Sequence, residues 1–177
     1  MASFYRITNA EDKWYKAFIA VYSVSFPVHE QRNEMQQLLA FDDKRYHLLI
    51  TVKGDKLLSF VAYWDFDTYV YIEHLAVNPD CRGENIGSSM LNAFAKKVNK
   101  TVLLEIDPIE NEIAEKRFRF YEKLGYKKNP YNHTHPPYNP VFKPHELIVL
   151  SLGKELGEDQ YKLFYRDLVN IVMNVNS

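Results

Sequence analysis

Apolar residues along this chain follow two rhythms, and the change from one to the other marks out its elements. Runs with apolar side chains continuous or at every second position predict strands at residues 4–7, 46–52, 57–66, 69–77, 101–106, 126–131 and 146–152. Apolar residues three and four apart predict helices between them. Trp14, Phe18, Val21 and Tyr22 share one helical face, opened by the capping-box pattern Thr8-Asn9-Ala10-Glu11 and ended by Phe26-Pro27. A more polar helix is expected near residues 29–39, with Met35, Leu38 and Leu39 as its apolar edge. Ile86, Met90, Leu91, Phe94 and Val98 give a third helix, and residues 109–124 a fourth. Tyr161, Phe164, Leu168, Ile171, Val172 and Val175 line one face of a last helix over 158–175. Lys53-Gly54-Asp55-Lys56 reads as a hairpin turn. The order predicts a mixed α+β fold, a sheet of about seven strands flanked by helices with an extra C-terminal helix. That helix packs on the domain or serves a homodimer interface.

The stretch from Tyr69 to Leu91 carries the most chemistry. A strand ends at Asn78-Pro79, because proline cannot continue a ladder, and a glycine-bearing loop leads into a helix beginning near Asn85. First-turn amides lack an intrahelical partner, the helix dipole is positive there, and glycine lets an anion approach the backbone. A phosphorylated ligand is expected. A P-loop is excluded, since no Gly-Lys pair is followed by a hydroxyl residue. A dinucleotide fingerprint is excluded because only Gly83 and Gly87 are present, after what read as antiparallel strands.

Val77-Asn78-Pro79 followed by Arg82-Gly83-Glu84-Asn85-Ile86-Gly87-Ser88 resembles the acyl-CoA motif of the GNAT-type N-acetyltransferases, Arg/Gln-x-x-Gly-x-Gly/Ala. Downstream, Phe120-Tyr121-Glu122-Lys123-Leu124-Gly125-Tyr126 is similar to the family's Tyr-Glu-x-Leu-Gly-Phe. Asn85 stands where the family usually has its middle glycine. Asn is the side-chain-bearing residue that best tolerates the left-handed region, so the loop keeps its shape. The resemblance implies acetyl-CoA as acyl donor and a primary amine of a small molecule or peptide as acceptor, with direct attack on the thioester and no metal. It implies that residues 82–88 hold the pyrophosphate and that the backbone of Leu75, Ala76 and Val77 aligns the pantetheine arm. Tyr121 matches the family's tyrosine near the thioester sulfur, an acid for the departing thiolate; the plainer alternative is an aromatic plug, a task Phe120 can take instead. An Asn is frequent in the family seven residues before this tyrosine; Ala114 stands there, and Asn111 lies one turn earlier.

For the base, Glu73 is the sharp choice. Strict alternation puts Tyr71, Glu73 and Leu75 on one face of the strand and Ile72, His74 and Ala76 on the other. A carboxylate in such apolar company is costly unless exposed or paired, so the alternatives are an active-site base or an ion pair with a nearby Lys or Arg. A water relay without a dedicated base stands beside both. His74 reads as a core histidine. The resemblance puts Glu30 in the region that forms one wall of the acceptor site, as a counter-charge to a substrate ammonium or a solvated helix start, and implies that the Pro-rich loop carrying His133, His135 and Tyr138 covers the acceptor pocket. His133 and His135 bind a metal only if a third ligand joins them, and none is expected.

Composition narrows the partners. At 177 residues the chain suits a single domain spanning 1–177. A net charge of −1 without a basic run argues against nucleic acid. One cysteine, Cys81, excludes internal disulfides and points to a reducing, cytoplasmic setting; no apolar run reaches membrane-spanning length. A non-catalytic acyl-CoA-binding regulator or sensor is the alternative class, and a structural protein whose glycines merely turn the chain is a third. Tyr121 and an acidic strand residue together favour the enzyme.

Overall fold

The computed structural model describes residues 3–174, in two compact units that divide after Lys100. The first unit runs β1 (Phe4–Ile7), α1 (Tyr15–Ser25), α2 (Glu34–Asp42), β2 (Tyr46–Lys53), β3 (Lys56–Asp65), β4 (Tyr69–Val77) and α3 (Ile86–Val98). Its four strands form an antiparallel meander in the order β1-β2-β3-β4. Alternation along β3 assigns its two faces. Phe18 and Tyr22 of α1 pack on Phe60, the first edge-on at 4.9 Å, and Phe41 of α2 meets Tyr46, which meets Trp64. On the opposite face Tyr63 meets Phe94 of α3 at 4.8 Å. Phe18, Phe60, Trp64 and Phe94 are fully buried, each side chain contributing about 1.5–3 kcal/mol of hydrophobic stabilisation.

Both early helix starts differ from the sequence expectation. The capping box at Thr8–Glu11 does not form: Asn9 Oδ1 accepts from the Glu11 amide at 2.9 Å and Asp12 Oδ1 from the Trp14 amide at 2.8 Å. These two Asx turns compete with the helix, which begins only at Tyr15. The helix expected near 29–39 is divided into one 3₁₀ turn, Val28–Glu30, and α2. Asn33 caps α2 by accepting from the Gln36 amide, and the Gln36 side chain accepts from the Asn33 amide, both at 2.8 Å.

The second unit comprises β5 (Thr101–Ile106), α4 (Glu112–Lys123), β6 (Tyr126–Lys128), β7 (His133–His135), β8 (His145–Leu152) and α5 (Glu158–Asp167). β8 pairs antiparallel with β5, β6 and β7. β7 is an eighth strand not expected from the sequence; only three residues long and ending at Pro136, it leaves no run to detect. α4 starts at Asn111, whose side chain accepts from the Ala114 amide at 2.9 Å. α5 continues into a π-helical turn, Leu168–Val172, and buries Phe164, Leu168 and Val172 as the periodicity predicts. Val175, the last residue of that apolar face, lies outside the described residues.

Candidate active site

β4 does not alternate cleanly, and the irregularity falls at the candidate base. Ala62 pairs with His74 but Tyr63 with Ile72, which leaves Glu73 as the extra residue of a β-bulge. Glu73 and His74 therefore both reach the α1/α2 side of the sheet, where strict alternation expected opposite faces. The His74 ring lies between Tyr22 and Phe26, edge-on at 5.0 and 4.8 Å, as a packed core histidine, and its Nε2 donates to the Glu30 carbonyl at 2.8 Å.

Glu73 is enclosed, its side chain 0% exposed against 1% for Arg32. Arg32 donates to Oε1 from Nη2 at 2.5 Å and from Nε at 3.1 Å, while Trp64 Nε1 donates to Oε2 at 2.8 Å. The Tyr46 and Trp64 rings each lie 5.6 Å from the guanidinium carbon, a cation–π cage for the arginine. Burial pushes the Glu73 carboxyl up, but the Arg32 charge, His74 and the hydrogen bonds from Trp64 and Arg32 outweigh it and hold the group below its ordinary range. Arg32 escaped the sequence reading: it is one cation in a polar stretch, and its partner lies 41 residues away.

The loop between β4 and α3 is left-handed at two positions. A 3₁₀ turn, Pro79–Cys81, capped by Asn78 Oδ1 on the Asp80 amide at 3.1 Å, leads to Arg82. Gly83 takes φ +92° and Asn85 φ 56°, ψ 21°, both left-handed; a Cβ on Gly83 would meet nothing within 4 Å, so conformation rather than space demands glycine there. Helical bonding in α3 starts with the Ser89 amide on the Asn85 carbonyl, which leaves the amides of Ile86, Gly87 and Ser88 without a partner four residues back. Arg82, Gly83, Glu84 and Asn85 are exposed, and Ile86, Gly87 and Ser88 half-buried. Leu75, Ala76 and Val77, at the end of β4 before this loop, are also half-buried. A pyrophosphate fits amides of this kind.

In the second unit Tyr121 is buried on α4, edge-on to Phe120 at 5.2 Å and to Tyr126 at 5.6 Å. Phe120 was expected to take the packing role; it is 37% exposed instead, and Tyr121 is the residue facing inward. Burial pushes the Tyr121 phenol up to about 12, with Arg117 opposing. The Tyr126 hydroxyl is buried with no partner among the described residues. Tyr138 is buried and stacks on His135 at 5.4 Å. His133 and His135, two apart on β7, both turn inward: His133 Nε2 bonds Glu105 Oε2, its Nδ1 lies 2.9 Å from the Tyr161 hydroxyl, and His135 Nε2 lies 3.8 Å from Glu105 Oε1. His135 Nδ1 donates to the Pro136 carbonyl at 2.6 Å. Among the described residues no group of three or more His, Cys, Asp or Glu is arranged to hold a metal ion, and no helix is long and apolar enough to cross a membrane.

An antiparallel meander whose last strand leads through a left-handed loop into a helix N-terminus is the local architecture from Lys56 to Val98. The family model described as "Acetyltransferase (GNAT) family" matches residues 11–126, and the chain belongs to that family. It is 30% identical over 118 residues to the putative acetyltransferase YjbC of Bacillus subtilis, a match covering 64% of this chain and 56% of that relative's length. A putative GNAT-family acetyltransferase from Bacteroides thetaiotaomicron has the same fold, with TM-score 0.89, 27% identity and coverage of 97% of this chain and 98% of that one. Arabidopsis thaliana Naa50, solved with the bisubstrate analogue CoA-Ac-MVNAL, is similar in fold alone: TM-score 0.58, 23% identity, covering 84% of this chain and 97% of that one.

Proposed function

We propose that the protein transfers an acetyl group from acetyl-CoA to a primary amine of a small molecule or peptide. The observation that carries this reading is the loop Arg82–Ser88, where Gly83 and Asn85 in left-handed conformations turn the chain into α3 and leave its first amides open. These amides are suited to the pyrophosphate, with Arg82 and the Ser88 hydroxyl beside them, and the backbone of Leu75, Ala76 and Val77 to the pantetheine arm. Acetyl-CoA supplies the activated carbonyl. The neutral amine nitrogen attacks that carbon, the C–N bond forms, the C–S bond breaks, and the CoA thiolate leaves as the nitrogen loses its proton. Orientation of the two reactants can account for a large share of such a rate. Tyr121 is the donor to the thiolate; its phenol is protonated at neutrality even at its ordinary value, and burial raises it further, to about 12. Glu30 and Tyr138 are the residues proposed to meet the acceptor, Glu30 as the counter-charge to its ammonium.

Calorimetric titration of the protein with acetyl-CoA, alongside free CoA, tests the reading. Micromolar binding of either supports it. No binding of either would sink it. Binding without acetylation across an amine screen would leave an acyl-CoA sensor in its place.

A further inference from the structure

We propose that Arg32, Glu73 and His74 act together as a positioning device for the acceptor, fixing the Val28–Arg32 turn and its Glu30 carboxylate against the bulged strand, and that Glu73 does not take the amine proton. The inference rests on the acceptor role of Glu30 proposed above. Three consecutive residues of the turn are each tied down. The Glu30 carbonyl accepts from His74 Nε2 at 2.8 Å. The Gln31 side chain donates to the Phe26 and Ser23 carbonyls at 2.5 and 3.1 Å, satisfying orphan acceptors at the end of α1. The Arg32 amide donates to the Tyr22 hydroxyl at 2.8 Å, and its guanidinium holds Glu73. The next residue, Asn33, caps α2. Within this frame the Glu30 side chain keeps 26% exposure, with His29 Nε2 at 3.7 Å.

A general base must touch the proton it removes, directly or through one water. Glu73 has no exposed side-chain surface, and both of its oxygens already accept hydrogen bonds. Its lowered basicity points the same way. The bulge explains why such an anion is present: it turns Glu73 and His74 to one side, so that two adjacent strand residues grip one turn. The amine proton then leaves to water, and the alkaline rise in rate follows the acceptor's own ionisation.

Two measurements on the intact chain test this without any need for turnover. Carbon-detected NMR of the Glu73 carboxyl should show no titration between about pH 5 and 8; a midpoint inside that window overturns the proposal. Amide exchange at Gln31 and Arg32 should rise at least about tenfold in Glu73→Gln and less in Arg32→Lys, with α3 unchanged; unchanged exchange overturns it too. Transfer to two probes separates positioning from a merely structural effect. With benzylamine, an ammonium at neutral pH, Glu73→Gln should raise KM about tenfold and leave kcat within about twofold. With hydroxylamine, largely uncharged at neutral pH, both constants should hold. A fall in kcat with benzylamine of about 10² or more would restore Glu73 as the base. If the wild type acetylates neither probe, the transferase reading has failed on these acceptors, and the NMR and exchange results still decide the role of the turn.

Discussion

Replacing Arg32 by Met strips the guanidinium from a carboxylate that has nowhere else to go. The two side chains are 1% and 0% exposed and meet at 2.5 Å, so solvent screening does not soften the loss. Breaking a buried pair from one side costs about 3–5 kcal/mol, because the remaining charge is left desolvated. For a chain of this size about 1 kcal/mol corresponds to roughly 2–4 °C, so the melting temperature should fall by about 6–20 °C. The pH dependence carries a sign that packing loss cannot imitate. In the wild type the folded Glu73 pKa is lowered, so its contribution is present above the unfolded value near 4.3 and disappears as pH falls through the folded one. In Arg32→Met burial loses its largest opponent, the Arg32 charge, and the folded pKa is expected to move above the unfolded one. The variant's deficit should therefore shrink as pH drops from about 8 to 5, which denaturant unfolding at several pH values would read. The double variant Arg32→Met with Glu73→Met should be less destabilised than Arg32→Met alone, since the stranded charge is gone, leaving chiefly the unpaired Trp64 indole at about 1–3 kcal/mol. A pH-independent deficit, or a double variant as unstable as the two single losses added, would refute the account.

Tyr121→Phe should cut turnover by about 10² while leaving acetyl-CoA affinity within about twofold, measured by steady-state kinetics and calorimetry; unchanged turnover removes Tyr121 as the acid. Because burial raises its phenol to about 12, wild-type turnover should show no alkaline decline from this group below about pH 10. Asn85→Ala, at φ 56°, should lose about 1 kcal/mol of stability and weaken CoA binding, whereas Asn85→Gly should match the wild type within about 0.5 kcal/mol. Gly83→Ala at φ +92° should cost about 1–2 kcal/mol although a methyl group there meets nothing, so a neutral result would show that the loop is not held in this conformation.

The parts of this chain written in local chemistry were legible in the sequence. Strand, Asn-Pro stop, glycine-bearing loop and helix from Tyr69 to Val98 needed only neighbouring residues, and Asn85 took the left-handed conformation its side chain best tolerates. Helix starts were less legible where one polar residue had two uses. Asn9 and Asp12 spend their oxygens on their own turns, whereas Asn33 and Gln36 cap reciprocally, and nothing short of the fold says which outcome a given Asn will meet. β7 was hidden because a three-residue strand that ends at Pro136 has no periodicity; its place comes from pairing with β8 and from His133 meeting Glu105.

The bulge at Glu73 shows where local inference stops. Period-two alternation is a property of one strand, but a bulge is a property of a pair, set by how Ala62 and Tyr63 register against Ile72 and His74. Of the two alternatives open for Glu73, a base in a cleft or an ion pair, the structure shows the ion pair, with a cation 41 residues earlier. Identity and role then separate. The resemblance to the family was carried by the motifs at Val77–Ser88 and Phe120–Tyr126, not by this carboxylate. Its chemistry depends on what it meets, and here it meets an arginine already caged by Tyr46 and Trp64. A carboxylate so engaged is a fixed counter-ion, and under the proposal above the amine proton leaves to water.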